Sequence, residues 1–337
     1  MSILPKKNIE DFYGVDLLDF IEKYIRTGKI NDSTKSEIIK FTMLCGKQVN
    51  DSIDNRKITK DLFSRFRKDI KNIMSEECFE FQGNLDLLTF EEILAEISDA
   101  VIIYIESMGS ACELGAFAYV DSMLSKLLVI NDLEYRGAQS FINDGPIKKI
   151  VNKDEKSVVY TKFNDEKLIS LSDTNLVSSL LSCVPEVKEL YSQDFCYSDN
   201  ILEIKINYFV LLLIDVVNLF EPITIVDSTK LIKYFLCKNQ NCKLNFSLES
   251  TNKLNEIEII EIIFKLLEKW QVIEKKVYKK GYIYRIDRKQ QYDTNGNPNY
   301  DIGKVLFQKK FFDNEKILLN LKSKIIYINK KAGRELW

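Results

Sequence analysis

Histidine is absent from all 337 residues. Without an imidazole the chain cannot by itself run a Ser-His-Asp or Cys-His nucleophile, use a histidine general base, or build the His-rich sites usual for catalytic metals. Carboxylates, tyrosine, lysine and cysteine remain. Among reactions that run on carboxylates alone, glycosyl transfer fits best, because it needs an anion beside an oxocarbenium-like centre.

Long apolar runs are also missing. The greasiest stretch, Tyr208 to Phe220, is 13 residues long and is interrupted by Asp215 and Asn218, against the ~18 needed to cross a bilayer. It reads as a core helix. The opening Met1-Ser2-Ile3-Leu4-Pro5-Lys6-Lys7 leads into acidic sequence rather than an apolar segment, so no secretory leader is expected. Cysteines number seven, an odd count with no C-x-x-C pair. That argues against a disulfide framework and a structural zinc, and for a reducing, cytoplasmic setting. Cys237 and Cys242 have no histidine or further cysteine pair nearby to complete a metal site, and read as buried structural thiols.

What is present is asymmetric. Residues 1–200 carry 24 basic and 34 acidic side chains and residues 201–337 carry 24 and 16, so a formal charge of -2 conceals -10 followed by +8. A basic module behind an acidic one points to an anionic partner for the C-terminal part, with a solvated lysine-rich surface as the plain alternative.

Three regions follow from the patterning: an accessory helical segment over 1–36, a catalytic domain over 37–198 and a basic domain over 199–337. In the first, Leu17, Leu18, Phe20, Ile21, Tyr24 and Ile25 recur at helical spacing. In the second, short apolar runs alternate with amphipathic stretches: Ile38–Leu44, Ile58–Met74, Cys78–Phe81, Phe90–Ile97, Val101–Ile105, Ser110–Leu124, Leu127–Ile130 and Val158–Tyr160. This alternation predicts an α/β domain, a Rossmann- or flavodoxin-like parallel sheet with helices on both faces. In the third, helices over Ile204–Phe220, Ser228–Leu236 and Leu254–Trp270 precede two β-prone runs around Lys279-Lys280-Gly281, an order that resembles a winged helix. Lys275, Lys276, Lys279, Lys280 and Arg285 would then form a nucleic-acid or partner surface. Asp293 to Asn299 is a loop by composition.

A parallel sheet binds its ligand beyond the carboxyl ends of its strands. The segments to search are therefore Cys45-Gly46-Lys47, Glu106-Ser107-Met108-Gly109 and Asn131-Asp132. The second is the richest: Asp99 to Ile105 is a buried-strand run, and Gly109-Ser110 then opens a helix of small residues whose N-terminus favours an anion. Ser110-Ala111-Cys112-Glu113 fits a capping box. A glutamate held there by the helix dipole stays ionised, as a nucleophile or cation stabiliser requires, and repulsion would hold a proton on the second carboxylate, Glu106. Arg56 is a candidate phosphate ligand, against an exposed loop arginine. Asn131 and Asp132 are candidate ribose ligands, against a simple turn. Tyr104 reads as core.

Glu106-Ser-Met-Gly-Ser-Ala-Cys-Glu113-Leu-Gly-Ala-Phe117, preceded by Asp99 and with Cys45-Gly46-Lys47 upstream, resembles nucleoside 2-deoxyribosyltransferase-like domains. More closely, it resembles effectors of retron anti-phage systems, which join such a domain to a C-terminal winged-helix-like domain. The resemblance implies Glu113 as the catalytic glutamate, with Glu106, Ser107, Gly109 and Ser110 shaping the sugar and phosphate pocket and Gly46 and Asp99 beside them. It implies a nucleotide N-glycosidase toxin that hydrolyses NAD, as substrate rather than cofactor, or another nucleoside or nucleotide, held in check by a reverse transcriptase and multicopy single-stranded DNA. No cofactor, metal or membrane partner is implied, and assembly into a homo-oligomer is left open. Deoxyribosyltransferases carry an aspartate where this chain has Glu106 or a neighbour, so deoxyribose specificity is not carried over and hydrolysis is preferred to transfer. The competing reading is a non-catalytic nucleotide sensor coupled to a DNA-binding regulator.

Overall fold

The computed structural model describes residues 8–27, 39–47, 53–164, 166–185, 196–246, 248, 255–278, 281–288 and 315–334. The chain divides into two compact units, one of residues 40–186 with 248–251, the other of residues 1–39, 187–247 and 252–337.

In chain order the elements are α1 (Ile9–Tyr13), α2 (Val15–Thr27), β1 (Lys40–Cys45), α3 (Asn55–Phe66), β2 (Ile70–Ile73), α4 (Leu87–Ile97), β3 (Ala100–Tyr104), α5 (Met108–Tyr119), α6 (Asp121–Leu124), β4 (Leu127–Asp132), α7 (Lys148–Lys153), β5 (Val158–Thr161) and α8 (Thr174–Cys183). They continue with β6 (Cys196–Ser198), β7 (Ile201–Ile204), α9 (Ile206–Phe220), α10 (Ile225–Cys237), β8 (Lys243–Phe246), α11 (Glu256–Lys269), β9 (Ile273–Tyr278), β10 (Gly281–Ile286) and α12 (Glu315–Lys331).

The 40–186 unit is built on a five-stranded parallel sheet of order β2-β1-β3-β4-β5. Every residue of β1, β3 and β4 is buried, so both faces of the central strands are covered, and the runs are accordingly continuous rather than alternating. Leu44, Ile102, Tyr104, Leu128 and Ile130 form one face and pack with Leu62 and Phe63 of α3 and Leu176 and Leu180 of α8. The alternate set, Met43, Cys45, Val101, Ile103 and Val129, is equally buried; α4 and α5 are the helices in contact with β1 and β3. Tyr104 is core, its hydroxyl hydrogen-bonded to Thr59. The chain winds from β1 outwards to β2, returns to β3 and proceeds to β4 and β5. Strand order therefore reverses between β1 and β3, and the crevice beyond their carboxyl ends is where such a sheet accommodates a ligand.

Two expectations about elements are corrected. Cys78–Phe81 is not a strand but part of a 3-10 helix over Ser75–Phe81, where Glu76, Glu77 and Glu80 disfavour a fully buried strand. The edge strand β2 instead comes from the end of the Ile58–Met74 stretch, where Lys71 and Asn72 lie between two isoleucines and are only partly buried.

The other unit gathers the chain's two ends. Its N-terminal helices are not a separate accessory segment: α2 packs on α10, and α1 on α10 and α12. Tyr234 donates to Asp19 at 2.8 Å, and Lys238 pairs with Asp19 at 2.5 Å and Glu22 at 3.0 Å. At the opposite terminus Arg334 is fully buried and meets Asp227 at 2.8 Å. Helices α9, α10 and α11 precede the antiparallel β9–β10 pair, and Ile223, between α9 and α10, bridges Tyr284 of β10. A small sheet of order β6-β7-β8 adds strands that the sequence pattern does not announce.

Candidate active site

The β3–α5 junction explains why Glu113 is available. Helix α5 begins one turn earlier than its sequence suggests, because Ser107, not Ser110, is the N-cap. Ser107 Oγ accepts from the Ser110 N–H at 3.1 Å, and Ser110 Oγ completes the box by accepting from the Ser107 N–H at 3.1 Å. Two serines thus satisfy the helix end, and they shape the turn rather than face outwards, Ser110 being buried. Glu113 is released from the capping role expected of it. Its Oε2 is buried with no hydrogen-bond partner, and the Cys45 thiol at the end of β1 hydrogen-bonds its carboxylate.

Burial, then the nearby carboxylates of Glu91 and Glu76, push Glu113 up to about 7. This corrects the expectation that the helix dipole would keep it fully ionised: desolvation and like charge outweigh a dipole effect of ~0.3–1 kcal/mol. Burial also raises Glu91, with a Ser75 hydrogen bond opposing. Glu91 went unnoticed in the sequence, yet it leaves a signal. Leu94 and Ala95 stand three and four after it, which places a charge on the apolar side of α4.

Glu106 follows β3 and is held on both sides. Its Oε1 accepts from the Lys47 N–H at 2.7 Å and its Oε2 from the Asn55 amide at 2.7 Å. Burial raises its pKa while these two donors oppose the rise. Gly46 is required for this contact: a Cβ there would lie 2.7 Å from Glu106 Oε1. Asn55 is itself fixed, donating also to the Lys167 carbonyl at 3.0 Å and accepting from the Ile169 N–H at 2.8 Å.

Arg56 lies between the carboxylates, but not as a loop residue. It is the second residue of α3, buried, and ion-paired with Glu76 and, at 3.1 Å, with Asp54. Nη1 and Nη2 are each engaged by a carboxylate, so a bidentate phosphate grip would share its donors with Glu76 and Asp54. Asp99 is the clearest departure. It precedes β3, at the far end of the strand from Glu106, where its Oδ2 accepts from the Phe41 N–H at 2.7 Å and fastens β3 to β1. Five residues at ~3.3 Å each separate the two ends, so Asp99 is structural.

A cavity of about 390 Å³ opens beside Glu106, lined by Asn131, Asp132, Tyr135, Asn143, Phe163 and Lys167 among others. Asn131 and Asp132 both cap and line: Asn131 Oδ1 accepts from the Asp132 N–H at 2.9 Å, and Asp132 caps the 3-10 turn Leu133–Tyr135 while facing Lys167 at 3.5 Å. Glu106 is one of the residues that line this cavity, and Glu113 is not. Gly109 is exposed in the first turn of α5. Among the described residues no group of histidine, cysteine, aspartate and glutamate could hold a metal ion. None of the described helices is long and apolar enough to cross a membrane.

The sequence profile described as STM3845 retron effector protein matches residues 52–275, which include α3 to α5 and the acidic cluster's Arg56, Glu76, Glu91 and Glu113. The chain belongs to this family. It is 33% identical over 147 residues to an Escherichia coli protein named "Retron Ec86 putative ribosyltransferase/DNA-binding protein", covering 42% of this chain and 48% of that one. A second E. coli relative, bearing the same name for retron Ec73, is 34% identical over 126 residues, covering 35% and 40%. The matched segments thus span half or less of these relatives' lengths.

In this retron effector the hairpin is less basic than its sequence suggests. Lys275 pairs with Glu268 at 2.8 Å and Arg285 with Glu274 at 2.5 Å; Lys276 is exposed, while Lys279 and Lys280, like the loop 293–299, fall outside the described residues. Helix α11 adds Glu256, Glu258 and Glu261.

Proposed function

We propose that the 40–186 unit is a nucleotide N-glycosidase that hydrolyses the bond between base and ribose, NAD being the leading substrate, and that it is the toxin component of its retron system. The observation that carries this reading is Glu113: a carboxylate at the carboxyl ends of β1 and β3, freed from helix capping, with one oxygen unpartnered and a pKa near neutrality. Ionised, it can add to C1′ or stabilise the oxocarbenium that forms there as the base departs. Glu106, fixed by Lys47 and Asn55, presents a second carboxyl group at the wall of a cavity. The relatives' description as ribosyltransferases supports chemistry at that carbon. The strand order is the flavodoxin-like one, whose switch point supports a nucleotide.

The second unit reads as a winged-helix-like module: α9, the Ile223 bridge, α10, α11 and the β9–β10 hairpin follow one another in a winged-helix order, with β8 between α10 and α11. Family membership and the relatives' DNA-binding label support a role in sensing a retron reverse transcriptase and its multicopy single-stranded DNA. Binding would run through surfaces other than α11, whose glutamates repel phosphate. The test is mass spectrometry of a nucleotide panel, including NAD, incubated with the chain alone and with its retron partners. Free base or nicotinamide should accumulate; no release under any of these conditions would refute the reading.

A further inference from the structure

Cys237 and Cys242 carry chemistry that the glycosidase reading does not use. Cys237 is the last residue of α10 and Cys242 precedes β8, and the tight loop between them brings their sulfurs to 3.0 Å. Lys238, the helix C-cap, makes the turn in the left-handed region with φ 57°. The two sulfurs differ in access: Cys242 is buried, whereas Cys237 is partly exposed. We propose that Cys237 and Cys242 form a reversible disulfide, with Cys237 the sulfur that an oxidant meets and Cys242 the resolving thiol.

Burial, then the Cys237 thiol beside it, push Cys242 up to about 12, so Cys242 carries its proton at neutral pH. With hydrogen peroxide as oxidant the step balances. The Cys237 thiolate attacks one peroxide oxygen, the O–O bond breaks, and the departing hydroxide leaves as water with the Cys237 proton. Cys242 then attacks the sulfenic sulfur, the S–O bond breaks, and a second water carries off the Cys242 proton. Two thiols and one peroxide yield one disulfide and two waters.

The loop is also an anchor. Lys238 pairs with Asp19 and Glu22 of α2, and Gln240 accepts from the Ile9 N–H of α1 at 3.3 Å. Closing the disulfide fixes the segment that fastens both N-terminal helices, which makes their docking sensitive to oxidation.

Trypsin cuts after Lys233, Lys238 and Lys243, so the disulfide must join the peptides Tyr234–Lys238 and Asn239–Lys243. Full-length protein treated with stoichiometric peroxide, alkylated and digested should yield this linked pair as the main product, lost on reduction with dithiothreitol. Amide exchange over α2 should slow severalfold on oxidation and recover on reduction. The Cys242→Ser variant should instead stop at the sulfenic acid on Cys237, trapped as its dimedone adduct. Unlinked, alkylated peptides from the oxidised wild type would overturn the proposal, and a linked pair with unchanged exchange over α2 would overturn its regulatory consequence.

Discussion

At the scale of single residues, the chemistry turns on where Glu113 keeps its proton. Its pKa is raised to about 7 by burial and by Glu91 and Glu76, so base release should rise with pH along a limb centred near 7. Glu91→Gln removes a like charge and should move that limb to lower pH, which kcat/KM profiles of the two proteins would record. The same shift acts on stability. A carboxyl with a folded pKa above its unfolded value of ~4.3 stabilises the fold below that value and loses the contribution as pH rises through the folded pKa. Glu113→Gln should therefore stabilise the protein at pH 8 by ~1–3 kcal/mol and change little at pH 4, measurable as denaturant midpoints at the two pH values. Much of this site was legible. Glu106, Gly46 and Asn131 follow from asking what stands at strand ends, and Glu113 from the helix that opens after β3 together with the resemblance. The proton balance was not, because Glu91 and Glu76 come from a helix and a 3-10 turn that only the fold brings to Glu113.

At the scale of elements, the sheet distinguishes residues that share a sequence neighbourhood but lie at opposite ends of a strand. Asp99 and Glu106 flank β3, yet only Glu106 faces the site. Asp99→Ala should cost ~1–3 kcal/mol, the usual penalty for stranding a buried N–H, while leaving kcat/KM per folded molecule unchanged. Ser107→Ala removes the α5 cap and should cost ~1 kcal/mol, with lower activity because α5 carries Glu113; thermal melts paired with base-release assays would separate the two cases. The strands β1, β3 and β4 were readable because burial on both faces leaves unbroken apolar runs. Strands β6, β7 and β8 were not: at three or four residues each, they rest on tertiary pairing rather than on a pattern of their own. The α5 start was misplaced because S-x-x-E and S-x-x-S offer overlapping caps, and only geometry chooses between them.

At the scale of the whole molecule, the division into units does not follow chain order. The N-terminal helices belong with the C-terminal elements, which a reading along the chain has no means to anticipate, since it sees only local periodicity. The buried Arg334–Asp227 pair fastens the C-terminal end into that unit. Arg334→Ala strands a buried aspartate and should destabilise the unit by ~3–5 kcal/mol, detected as early unfolding of α10 by hydrogen exchange. The charge asymmetry likewise looks different in three dimensions, where Glu268 and Glu274 answer Lys275 and Arg285. One carboxylate, Glu113, is proposed to carry the glycosidic chemistry. The most direct test is base release from NAD at pH 8 by the wild type and by Glu113→Gln, each first shown to be folded by its melting curve. A loss of at least ~1000-fold is expected, of the order seen when a group acting in the transition state is removed, with a melting temperature equal to or above that of the wild type. Release within tenfold of the wild type from a folded Glu113→Gln protein would contradict it.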